Sequence, residues 1–176
     1  MGAGADPLMA RLHQQPICVA SALLVPLLTL ATPTWLTLSG VAPSWAILWL
    51  LPWSLVDGPV SGLVAGACVG LVLDGLSGNG LTQVPVLMLL GWWWGRLGRR
   101  GRPIQRSLNL GLLAWIGSMA LGLSLWVQLR LLQGLEAPLL QHWAWQLCLL
   151  QAVLTGLLAP MLASWQLLIW RRRAPA

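Results

Sequence analysis

Lysine, phenylalanine and tyrosine do not occur in this 176-residue chain, and its acidic residues number four: Asp6, Asp57, Asp74 and Glu136. Charged residues make up 8%, against roughly 25% in a soluble globular domain. So few cannot cover a water-facing surface, which excludes an ordinary soluble domain. Cysteine is sparse as well. Cys18, Cys68 and Cys148 lie far apart, each inside an apolar run. With no CxxC or Cys/His spacing, no zinc site, and no metal or cofactor of any kind, is expected. Each thiol reads as a small buried apolar group. The alternating apolar and polar pattern of a membrane barrel strand is also missing. Helices are then the way to satisfy the backbone in lipid.

What the chain has in abundance is oil. Hydrophobic residues make up 57%, in about six runs separated by polar breaks, and each helical membrane span needs roughly 20 residues. The runs are 16–36, with Pro26 inside; 41–56, with Trp45, Trp49 and Trp53 four apart and Pro52 suggesting a kink; 59–76; 81–95; 108–132; and 139–170. Asp57-Gly58-Pro59 and Ser77-Gly78-Asn79-Gly80 are turn signals between runs. In the last run Trp143 and Trp165 lie 22 positions apart, about 33 Å along a helix, matching the two interfacial belts that Trp prefers. The expectation is an all-α polytopic membrane protein of about six transmembrane helices: residues 1–15 a cytoplasmic tail, 16–170 a single membrane domain, and 171–176 an Arg-rich cytoplasmic tail. A retained first helix fits better than a signal peptide, since Ala31-Thr32-Pro33 is a poor cleavage site.

Arginine sets the expected orientation. Ten arginines give a net charge of +6, which in a soluble protein would suggest nucleic acid. Here they fall between apolar runs, so their role reads as topological, and no nucleic acid is expected. With six spans, Arg11, Arg96, Arg99, Arg100, Arg102, Arg106 and Arg171 to Arg173 share one side, and Arg130 alone takes the other. That asymmetry predicts both termini in the cytoplasm. The short second run is the weak point, because a re-entrant segment there would leave five spans. The stretch Arg96 to Arg106 reads as a cytoplasmic basic loop. It either fixes topology or docks on anionic lipid or a cytoplasmic filament.

Gly58, Gly62, Gly66 and Gly70 recur every four residues, and Asp74 takes the next place. Residues four apart share a helix face, and a face without side chains lets another helix approach closely. The partner is either a helix of this chain or another protein. Asp74 falls near the outer end of its run. It is expected to cap the turn at Ser77 to Gly80 or to pair with Arg130, with proton or solute handling as the competing role. Asp57 reads as a turn former or helix-start residue. Asn109, Gln128, Gln141, His142, Gln146 and Gln151 add polarity to the last two runs. They hydrogen-bond between helices or line a pocket. Enzyme readings fail. The Asp-Gly pairs lack the companion carboxylates of a metal-dependent phosphatidyltransferase. Ser61-Gly62 lacks the preceding glycine of an intramembrane serine protease.

The stretch from Trp49 to Arg96 carries Trp-Leu-Leu-Pro-Trp, then Gly58-Pro-Val-Ser-Gly62-Leu-Val-Ala-Gly66, Gly70-Leu-Val-Leu-Asp74-Gly75, Gly80 and Gly91. It resembles the MreD family of bacterial rod shape-determining membrane proteins, as do the length, the order of runs and the inner Arg loop. Gly62, Gly66, Gly70 and Asp74 match that family's motif positions. The Trp excess without Phe or Tyr departs from its usual members. The resemblance implies a bundle similar to the substrate-binding S-components of vitamin transporters. It also implies a non-catalytic subunit of the cell-elongation machinery in the bacterial cytoplasmic (inner) membrane. The partners implied are membrane lipids, an MreC-like membrane protein and, through it, the MreB filament and the wall-synthesis enzymes. The alternative is a solute-binding S-component of a vitamin-type transporter.

Overall fold

The computed structural model describes residues 19–31, 37, 40–78, 80–99, 107–133 and 138–173, with the side chains of 107–108, 133, 138–144, 167 and 169–173 left aside. Six α-helices occupy them, with no strand: α1 Leu24–Leu30, entered through a 3-10 turn Ser21–Leu23; α2 Trp45–Asp57; α3 Pro59–Ser77; α4 Val84–Arg99; α5 Ser107–Gln133; and α6 Pro138–Arg173. The chain is an all-α membrane bundle. Spans of 19, 24 and 22 residues in α3, α5 and α6 are long and apolar enough to cross a bilayer. The outward faces are as apolar as a core: Leu27, Val60, Leu71, Leu89, Leu131, Leu157 and Met161 are all at least half exposed. In water such a surface would aggregate; in lipid it is the solvated face.

The helix ends follow local chemistry. Gly58 separates α2 from α3 with φ +99°, and Pro59 takes the first turn of α3, where its missing N–H costs nothing. Asp57, expected near the start of α3, is instead the last residue of α2, and Gly58 holds the cap position. At the other end Gly78 closes α3 in the left-handed conformation, φ +60°, its N–H donating to the Asp74 carbonyl at 3.1 Å.

Several boundaries differ from the sequence reading: α1 ends at Leu30 inside the first run, and α6 runs on through Arg171 to Arg173, where a tail is expected. Helix α4 begins at Val84 and runs on through Arg96 to Arg99, where a loop is expected. Nothing between Gly95 and Arg99 breaks a helix outright, and guanidinium groups in a last turn favour the helix dipole. Arg100, Arg102 and Arg106 lie outside the described residues, as do Cys18, Asp6, Arg11 and Glu136. The second run forms only 13 helical residues, about 20 Å, with Val41–Ser44 outside the helix.

That short helix is the core. Ten consecutive residues of α2, Trp45 to Ser54, are buried, Ile47, Leu50 and Leu51 completely. It touches each of the other five helices. Its start lies beside Thr29 of α1 and Leu76 of α3, while its end joins α3 beside Arg99. It therefore runs antiparallel to α3 over its 13 residues. Its tryptophans tie it outward. Trp49 Nε1 donates to Ser21 Oγ at 2.9 Å and Trp53 Nε1 to Ser61 Oγ at 3.1 Å, the two rings stacking with centroids 5.0 Å apart. Thr155 of α6, fully buried, accepts the Ser44 N–H at 3.0 Å. Pro52 sits inside the helix, which leaves the Leu48 carbonyl without its intrahelical donor.

Candidate functional site

The glycine stripe faces α4. A β-carbon at Gly62 would overlap the Gly91 carbonyl and one at Gly66 the Leu87 carbonyl, and one at Gly70 would stand 2.8 Å from Val84 Cα. The contact is reciprocal. Helix α4 has glycines of its own: Gly91 lies on the Gly62 carbonyl, Gly95 within 2.5 Å of Gly58 and Pro59, and Gly98 within 2.5 Å of the Leu55 carbonyl of α2, all measured from the β-carbon each lacks. Gly58 belongs to the same seam, but a β-carbon there would stand 3.2 Å from the Arg99 guanidinium. The two helices thus pack backbone on backbone along most of their length. Of this counter-stripe, Gly91, Gly95 and Gly98, the sequence reading names Gly91 alone. Its spacing of four then three is visible there, masked by Trp92 to Trp94.

At the Arg-bearing end, Ser61 donates its hydroxyl to the Asp57 carboxylate and accepts from Trp53, so indole, hydroxyl and carboxylate form a chain from α2 into α3. Exposed Arg96 stacks over Trp92 at 5.3 Å, a cation–π contact. At the opposite end Arg130 does the same over Trp126 at 5.0 Å. The Asp74 carboxylate, half-buried, accepts the Gln83 N–H at 2.8 and 3.1 Å. It caps the start of α4 from across the turn, a partner the sequence did not suggest. Next to it, Gln128 of α5 grips Thr82 on both sides. Its carbonyl oxygen accepts the Thr82 N–H and its amide donates to the Thr82 carbonyl, each at 2.8 Å. The α3–α4 turn is latched to two helices.

A cavity of about 400 Å³ stands at this end, walled by Thr29, Ser44, Trp45, Ser77, Gln83 and Gln151 among others. Its origin is geometric. Helix α3 extends about 28 Å and α2 about 20 Å, and the two meet at Gly58, so space is left above the α2 start. Gln151 thus lines a pocket, whereas Gln146 is exposed and the His142 and Gln141 side chains lie outside the described residues. Asn109 borders a second, open groove of about 510 Å³ between α5 and α6, with Trp115, Leu157 and Pro160. Cys68, expected to be buried, is exposed on the outer face of α3, because the glycine face of that helix turns inward. Cys148 is half-buried with Sγ 2.7 Å from where a Gly122 β-carbon would be. Among the described residues no three His, Cys, Asp or Glu side chains gather as a metal set. No protein-family model, curated protein or solved structure matches the chain.

Proposed function

We propose that this chain is a non-catalytic, multi-pass subunit of the bacterial cell-elongation machinery, of the MreD type, and that it organises lateral wall synthesis from within the inner membrane. The observation that carries the reading is the use made of its intramembrane carboxylates. Asp57 is bonded to Ser61 and Asp74 to the Gln83 N–H, so each ties neighbouring parts of the bundle together. The stretch that carries the resemblance, Trp49 to Arg96, is also the part packed backbone to backbone. A rigid unit of that kind suits a protein whose work is to hold others in place.

In this reading both termini and the Arg96 to Arg106 segment face the cytoplasm. In it α2, which runs antiparallel to α3, crosses with the other helices and makes the number of crossings even. The outward apolar faces meet lipid and an MreC-like membrane protein, which connects to the MreB filament and the wall-synthesis enzymes. Depletion in a rod-shaped cell tests the reading: rounding with unimpaired solute uptake is expected, and copurification of wall-synthesis proteins from native membranes. Recovery of an ATPase module instead, with normal cell shape, sinks it and favours a transporter subunit. Reversing the charge of Arg96 and Arg99, with a reporter on the C-terminus, separates the two roles of the basic segment. Inverted topology marks an orientation signal, and unchanged topology with lost recruitment marks a docking site.

A further inference from the structure

One face of α4 changes character along its length. Leu89, Trp92, Arg96 and Arg99 are spaced three, four and three apart, so they lie on one side of the helix. Leu89 is 65% exposed and Trp92 39%, and Arg96 and Arg99 are exposed beyond them. From the middle of the helix to its end the stripe reads alkyl, indole, guanidinium, guanidinium, over about 15 Å. That is the order met along a phospholipid, from acyl chain through the interface to the phosphate. Trp93, also exposed, widens the indole level, where Trp is favoured at a membrane boundary.

The two guanidinium groups have donors to spare. Arg96 sits over Trp92, 5.3 Å from the ring centroid. A contact with the ring face leaves the N–H groups of the cation for another acceptor. Arg99, one turn on, reaches the α2–α3 corner, where a Gly58 β-carbon would stand 3.2 Å from it. Among the described residues neither arginine forms a hydrogen bond or an ion pair. The carboxylates of Asp57 and Asp74 accept from Ser61 and from the Gln83 N–H instead. Two cations a turn apart without a counter-charge suit an anion with several oxygens, and guanidinium grips phosphate through paired N–H bonds. The opposite end of the bundle repeats the contact once, with Arg130 over Trp126 at 5.0 Å and no second basic residue in the last turn of α5.

We infer that this face of α4 holds an anionic phospholipid, its phosphate between Arg96 and Arg99 and its acyl chains along Trp92 and Leu89. A water-borne phosphate would meet the arginines and leave the apolar half of the stripe uncovered; a lipid covers both. Such a site gives the basic segment a lipid partner. It rests on the rod-shape reading in one respect, that this end of the bundle lies in the cytoplasmic leaflet, where anionic lipid attracts basic residues.

The test uses the full-length protein in detergent micelles. Micelles have no sides, so the outcome is independent of orientation and of any role in wall synthesis. Native mass spectrometry counts retained lipid during titration with palmitoyl-oleoyl phosphatidylglycerol. Phosphatidylcholine with the same chains is the zwitterionic control, and glycerol phosphate the control without chains. Phosphatidylglycerol is expected to bind about fivefold or more tightly than phosphatidylcholine, with no competition from glycerol phosphate. An arginine near a membrane surface is worth about fivefold in affinity for anionic lipid. Arg96→Gln combined with Arg99→Gln should therefore weaken retention about twentyfold. Arg99→Gln alone should weaken it about fivefold, and it carries the test if the double variant does not fold. Arg96→Lys with Arg99→Lys keeps both charges and should keep most of the preference. Arg130→Gln removes one charge at the far end, beyond the screening length, and should change retention by no more than about twofold. Equal retention of the two lipids, displacement by glycerol phosphate, glutamine variants that bind as the parent does, a loss that lysine fails to restore, or an equal loss in Arg130→Gln would overturn the inference.

Discussion

The α3–α4 pair and the α5–α6 pair are both antiparallel and both apolar, yet they are held together in different ways. In the first, glycine meets backbone at four successive levels: Gly62 with Gly91, Gly66 with Leu87, Gly70 with Val84, and Gly95 with Gly58 and Pro59. In the second, Gly111 meets Gly156 and Gly122 meets Cys148, and an open groove bordered by Leu112, Trp115, Val153 and Leu157 runs alongside. Lipid removes the hydrophobic reward for joining two apolar helices, so close van der Waals contact decides which pairs hold. The first pair makes that contact continuously and the second at separate points. Close glycine–backbone contact is thus concentrated in the middle third of the chain.

The largest expected effect breaks the continuous seam. Gly66→Leu places side-chain atoms where the Leu87 carbonyl stands, and neither backbone can yield without parting the helices. The cost should exceed the ~1–3 kcal/mol typical of overpacking, read as loss of monodisperse protein on size exclusion in detergent. Val69→Leu, on the same helix and also buried, adds a methylene among side chains and should stay within that range. Equal recovery and equal complementation by the two variants would remove the seam from the account.

The second pair should tolerate more. Pro160 has no N–H, so the Gly156 carbonyl one turn earlier lacks its helical donor. That oxygen lies 2.8 Å from the position a Gly111 β-carbon would take. Gly111→Ala forces a local shift, and a cost of about 1–3 kcal/mol follows. At Gly156 the nearest neighbours of an added β-carbon are 3.2 Å away, and Gly156→Ala should cost less. Thermal midpoints rank the two; the reverse order would place the crossing elsewhere.

How much of this contrast was legible beforehand depends on what each signal reports. The four-residue spacing of Gly62, Gly66 and Gly70 reveals a bare face, since spacing along one helix is a property of sequence alone. Which helix covers that face depends on tertiary packing, so nothing in the sequence pairs Gly91, Gly95 and Gly98 with it. Hydropathy ranks Ile47 and Leu71 alike, although one is wholly buried and the other 64% exposed, because lipid and protein interior look the same to an apolar side chain. The three tryptophans of α2 read as a stripe in the second run, yet they are core, made so by Ser21 and Ser61 accepting two of their N–H groups. The cavity left no trace in the sequence, because it arises from a difference in length between α2 and α3.

A smaller effect links the two regions. Gln128→Leu removes both bonds to the Thr82 backbone, the contact by which α5 holds the α3–α4 turn. Hydrogen bonds between membrane helices average about 0.6 kcal/mol, with a maximum near 1.7. A double contact therefore predicts a loss of about 1 kcal/mol in denaturation midpoints. Asp74→Asn keeps an oxygen for the Gln83 N–H and loses only charge, so its loss should be smaller still. If Asp74→Asn costs more than Gln128→Leu, the carboxylate does more than cap.

The smallest effect on stability is expected at Cys68, and it tests the premise of the whole comparison. Its side chain is exposed on the outer face of α3, ten positions into a 19-residue apolar helix, so it touches whatever medium surrounds the bundle. Removal of the sulfur in Cys68→Ala should change stability by no more than about 0.5 kcal/mol, as for surface substitutions in general. Reactivity is the sharper measure. A charged, membrane-impermeant maleimide does not enter hydrocarbon. In a background lacking Cys18 and Cys148, a membrane-impermeant maleimide should leave Cys68 unlabelled in intact membranes and label it fully once the chain is denatured. Rapid labelling in the native membrane would put α3 in water. The seam between α3 and α4 would then owe its strength to the hydrophobic effect, and the difference between the two helix pairs would need another cause.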